Sequence, residues 1–159
     1  MTICNDAVLW DNGTDKFCIL AIPDENQYRY AANQPCITVG FRYENTDYTG
    51  RDVFTFLGDP YIALYSEMES ACRSLDGSFR LYDMGADTDG YIDVAVNHGR
   101  VTVKGQLGAS FSSHFLYFEF EADQTLLTGL LHAISATTVR EVPREKKLRS
   151  AAVWKFRLK

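Results

Sequence analysis

The chain has 159 residues, 46% of them hydrophobic and 23% charged, and a formal net charge of −5. At that length one core can bury roughly two thirds of the unfolded surface, so a single globular domain over residues 1–159 is expected and a disordered chain is excluded. No apolar run reaches the roughly 18 residues a membrane helix needs. Met1-Thr2-Ile3-Cys4-Asn5-Asp6 lacks the basic and apolar parts of a secretory signal, so the expected setting is cytoplasmic, with no membrane partner.

In chain order, Asp11-Asn12-Gly13-Thr14-Asp15 has hairpin-turn chemistry, because Asn-Gly accepts positive φ. The first predicted strand covers residues 17–22 and is closed by Pro23-Asp24-Glu25-Asn26. A short strand over 28–32 precedes a stronger one over 36–43, where Ile37, Val39, Phe41 and Tyr43 alternate with Thr38, Gly40 and Arg42. The pattern resumes over 51–56. Next, Tyr61, Leu64, Tyr65, Met68, Cys72 and Leu75 recur at three- and four-residue spacing, which predicts a helix over 59–75. Asp59 is its expected N-cap, Pro60 its first helical residue, and Asp76-Gly77 its end.

Four strands follow, over 78–82, 91–96, 100–107 and 114–122. Asn97-His98-Gly99-Arg100 reads as a tight hairpin, and Gly105 and Gly108 as a bulge or a strand end. The run from His114 to Ala122 passes without a break into Leu126, Leu127, Leu130, Leu131 and Ile134, a helical stripe with Asp123 as N-cap, predicting a helix over 123–136. Beyond Pro143, residues 151–158 alternate apolar and basic and suggest a last strand that an exposed sheet edge would accept, in this chain or in a second copy. The expected fold is α+β, a mostly antiparallel curved sheet with two helices packed on it.

Side chains with chemical potential are few. Cys4, Cys18, Cys36 and Cys72 are scattered, without a Cys-x-x-Cys pair, and read as reduced, buried small residues. Asp83, Asp87, Asp89 and Asp93 surround Gly90 as carboxylates do in a calcium loop, but a twelve-residue frame through Asp87, Gly90 and Asp93 ends on Val96 where a bidentate glutamate is required. They read as a solvated turn, with no metal and no cofactor. His98, His114 and His132 lack partners at metal spacing, and His132, beside an apolar stripe, reads as a hydrogen-bonded structural histidine. Ser110, Ser112 and Ser113 near His114 lack a nucleophile elbow. Glu119 and Glu121 share one strand face, taken to be solvent.

Charge is uneven. From residue 140 to 159 eight basic residues stand against Glu141 and Glu145, leaving +6 there and −11 in the rest. Trp154 and Phe156 among those basic residues would suit a nucleic acid, but the acidic remainder repels a polyanion, so no nucleic-acid partner is expected.

Residues 53–136 resemble small bacterial immunity proteins of the group that accompanies wall-associated and related contact-dependent toxins. The resemblance rests on the capped helix, on Asp89-Gly90-Tyr91-Ile92-Asp93-Val94-Ala95-Val96, and above all on Phe118-Glu119-Phe120-Glu121-Ala122-Asp123-Gln124-Thr125 running into a leucine helix. It implies a non-catalytic protein that binds and neutralises a cognate toxin, with Asp83, Asp87, Asp89 and Asp93 as the surface offered to a basic partner. The alternative is a small-ligand module with Tyr61, Tyr65, Phe111 and Tyr117 lining a pocket between sheet and helix. A homodimer through the C-terminal strand is a further expectation.

Overall fold

The computed structural model describes residues 6–20 and 36–140. The strand expected over 28–32, the basic segment after residue 140 and its strand over 151–158 lie outside the described residues. The element order is β1 Ala7–Asp11, β2 Lys16–Leu20, β3 Cys36–Glu44, β4 Thr49–Leu57, α1 Gly58–Ser74, β5 Gly77–Tyr82, β6 Tyr91–Asn97, β7 Arg100–Leu107, β8 Leu116–Asp123 and α2 Gln124–Arg140. The fold is α+β with antiparallel pairing throughout, and its strands are divided between two four-stranded sheets, β1-β2-β3-β4 and β5-β6-β7-β8.

Alternation explains both sheets, with Cys18 in β2 and Gln106 in β7 buried out of step. In the first, Phe17, Ile19, Ile37, Val39, Phe41, Tyr43, Phe54 and Phe56 are buried on one face. In the second, Phe79, Leu81, Ile92, Val94, Val96, Val101, Val103, Leu107, Phe118 and Phe120 are buried while their neighbours in sequence face outward. The two inner faces meet through rings: Tyr43 stacks on Phe118 at 4.8 Å and Phe17 lies 5.7 Å from Phe120. Helix α1 contributes Tyr61, Leu64, Met68 and Ala71, and α2 contributes Leu126, Leu127, Leu130 and Ile134, to the same continuous core. The Tyr65 hydroxyl and Ser135 Oγ, 2.6 Å apart, tie the helices together.

Several local expectations are corrected. Strand β1 had no place in the sequence reading: Ala7-Val8-Leu9-Trp10 does not alternate in polarity, and its pairing with β2 slips between Val8 and Trp10. Helix α1 starts at Gly58 straight out of β4, so Leu57 holds the N-cap position without a side-chain bond and Asp59 sits in the first turn. The helix ends on Leu75, left-handed at φ 56° and ψ 27°, whose N–H donates to Ala71 O at 3.0 Å; Gly77 already belongs to β5. Gly105 makes no bulge, since the register runs unbroken through Ile92, Gly105 and Phe118. Asp123 does cap α2, its Oδ1 accepting from the Thr125 N–H at 2.8 Å and the Thr125 hydroxyl at 2.5 Å, which holds its carboxyl below the ordinary value. Cys18 and Cys72 are free thiols, the first buried and the second half-buried.

Candidate functional site

The four aspartates singled out by the sequence have four different environments. Asp83, only 6% exposed, turns inward. Its Oδ1 accepts the backbone N–H of Thr55 at 2.7 Å and of Gly85 at 3.2 Å, and its Oδ2 those of Asp87 at 2.7 Å and Thr88 at 3.2 Å. One carboxylate thus fastens the β5–β6 loop to the edge of β4, helped by the Met84 N–H donating to Thr55 O at 2.8 Å. Asp87 is exposed on that loop, and among the described residues its carboxylate accepts no hydrogen bond. Asp93 lies on the outer face of β6, gripped by Arg80 at 2.6 and 2.8 Å while the Arg80 guanidinium rests 4.5 Å over the Tyr91 ring.

Asp89 reaches the opposite loop. Its Oδ1 accepts the Ser110 N–H at 2.7 Å and the Gln106 amide at 3.1 Å, and its Oδ2 accepts the Ser110 hydroxyl. The Ser110 hydroxyl first, then the Ser110 N–H, hold the Asp89 carboxyl below the usual carboxylate value. A fifth acid, missed by the sequence reading, completes the arrangement: Asp52 Oδ2 accepts the Thr88 hydroxyl and the Gly108 N–H, each at 2.9 Å. A signal for Asp52 was present. It falls at the inward parity of β4, with Phe54 and Phe56, where a carboxylate needs internal donors. Gln106, 3% exposed and also donating to Gly108 O at 2.9 Å, is the matching anomaly on β7.

The result is two loops, 83–90 and 108–115, locked together at one end of the second sheet. Gly108 is fixed there for a steric reason: φ is +87°, and a Cβ would come 2.5 Å from His114 O. What the locked loop displays is apolar. Phe111 is 77% exposed and Tyr117 62%, with Phe115 set edge-on to Tyr117 at a ring distance of 5.3 Å. No family model, curated protein or solved structure matches the chain. Its function is therefore argued from this geometry.

The other candidates fare differently. Tyr61, Tyr65, Phe111 and Tyr117 line no common pocket: Tyr61 is fully buried against Phe56, Tyr65 joins the two helices, and Tyr117 lies on the sheet face turned away from the core. His132 is exposed, contrary to the structural role expected, and lines an open cleft with Cys72, Leu75, Gln124 and Thr128. Burial, then Glu69, push the Cys72 thiol up, which opposes a thiolate nucleophile there. Ser113 Oγ and His114 Nδ1 lie 2.9 Å apart on the exposed loop, and among the described residues no carboxylate orients that histidine. Glu119 and Glu121 both face solvent. Among the described residues no group of three or more His, Cys, Asp or Glu side chains could hold a metal ion, and no helix is long and apolar enough to cross a membrane.

Proposed function

We propose that the protein is a non-catalytic binding protein of the immunity type, which neutralises a cognate toxin domain by docking the locked loop pair onto it. The observation that carries this reading is Phe111, 77% exposed on a loop that Asp52 pins at Gly108 and Asp89 pins at Ser110, the residue before it. Burying such a side chain in a partner's apolar pocket is worth roughly 1.5–3 kcal/mol. Because the loop is already ordered, little of that gain is spent on fixing it.

Charge supports the same partner. The unbonded carboxylate of Asp87 stands beside the loop on a body that carries −11 outside its C-terminal segment, a field that attracts a basic protein surface and repels nucleic acid. Of the acids named from the sequence, Asp87 is available to meet a partner directly, Asp93 is held by Arg80, and Asp83 and Asp89 act by holding the platform. Action in the cytoplasm belongs to this proposal.

The test is co-expression with a toxin-type protein encoded beside this one, followed by stopped-flow association of the purified pair. Asp87→Lys is expected to slow association several-fold at low salt and to leave dissociation nearly unchanged. An association rate indifferent to both the substitution and salt removes Asp87 from the contact.

A further inference from the structure

Apart from Gln106, which the loops cover, the outer face of β5–β8 is uncovered among the described residues, and its charges follow a rule. Register places Arg80 opposite Asp93, Asp93 opposite Lys104, and Lys104 opposite Glu119. One row across all four strands therefore reads plus, minus, plus, minus. Only the first pair closes into an ion pair; Lys104 and Glu119 form none among the described residues. The neighbouring row is Ser78, Ala95, Thr102 and Glu121, small or polar, and at the loop side Tyr82, Tyr91 and Tyr117 line up around the covered Gln106.

A sequence of alternating signs over an even number of strands is antisymmetric about the midline between β6 and β7. We infer that this face is the contact between two copies of the chain, related by a two-fold axis running along the strands. Such an axis lays β5 over the partner's β8 and β6 over the partner's β7. Every cation of the row then meets an anion: Arg80 faces Glu119 of the second copy, Lys104 faces Asp93, and the reverse contacts follow by symmetry. Ser78 meets Glu121, Ala95 meets Thr102, and Tyr82 meets Tyr117 at the rim. The other in-plane two-fold, across the strands, would set each charge on its own like and is excluded. The chosen axis also preserves strand direction, so both copies present Phe111 at the same end. The dimer offers two docking loops side by side.

The experiment is analytical ultracentrifugation of the full chain, whose monomer mass is 18.0 kDa. Wild type is expected to show a reversible, salt-weakened equilibrium between one and two chains. Asp93→Lys alone places lysine on Lys104 of the second copy, and Lys104→Glu alone places glutamate on Asp93; each is expected to weaken self-association at least tenfold. Mixed in equal amounts the two variants are complementary, and association is expected to return to within a few-fold of wild type. Restoration on mixing also proves both variants folded. Should either variant fail to fold by circular dichroism, Arg80→Glu mixed with Glu119→Arg makes the same comparison at the edges of the row. A wild-type mass of 18.0 kDa at every concentration overturns the inference, whether the face stays bare or the chain's own basic segment covers it. Folded variants that associate no better mixed than alone overturn it equally.

Discussion

The two ends of the β5–β8 sheet solve the same problem by opposite means. At one end, two residues suffice: His98 and Gly99 take φ values of 49° and 81°, a mirror-image turn that matches strand twist, and the Gly99 N–H donates to Leu75 O at 3.0 Å, docking the turn on the end of α1. At the other, two long loops are held by three carboxylates, Asp52 from β4 and Asp83 and Asp89 from the first loop itself. A two-residue turn closes the sheet with a single carboxylate contact, the His98 N–H donating to Asp76 Oδ1 at 3.2 Å, and carries no exposed large apolar side chain. The carboxylate-held loops keep Phe111 in water, as the proposed docking role requires.

The contrast should break most visibly at Asp83. Asp83→Ala leaves four backbone N–H groups without their acceptor and is expected to lower stability by about 3 kcal/mol, read by urea denaturation. At the short turn the largest available effect is smaller. In Gly99→Ala the new Cβ meets nothing closer than 3.7 Å, so the cost is backbone strain alone, about 1–2 kcal/mol in the same assay.

Acid sharpens the comparison further. The folded pKa of Asp89 lies below its ordinary 3.8, so its grip on Ser110 is complete above that value and is lost as pH falls through the lowered one. In an NMR titration the Ser110 amide is expected to move with an apparent pKa below 3.8, while the Gly99 amide, bonded to a carbonyl, moves little. A Ser110 amide that titrates with an unperturbed carboxylate would show that the loop is held by something else.

How much of this was written in the sequence follows from the same difference. Strands β5 to β8 and helix α2 were legible because most of their apolar residues keep periods of two and of 3.6, and because Asp123 stands where a cap must stand. The division into two sheets was not, since alternation marks a buried face without saying which other face it meets. Nor were the roles of the aspartates. Asp83 and Asp87 look alike in a linear run; what separates them is the N–H of Thr55, 28 residues upstream, which only the folded chain brings to Asp83. Strand β1 and the left-handed Leu75 escaped for local reasons: one has no alternation, and the other takes a backbone conformation that glycine would normally supply.

The central claim is that the loop pair exists to be bound, and titration calorimetry of the chain against a co-purified protein of the proposed toxin type tests it most directly. Phe111 is 77% exposed and makes no ring contact among the described residues, so Phe111→Ala should leave the melting temperature unchanged while weakening the complex by roughly a hundredfold. A complex of unaltered affinity from that variant would contradict the account.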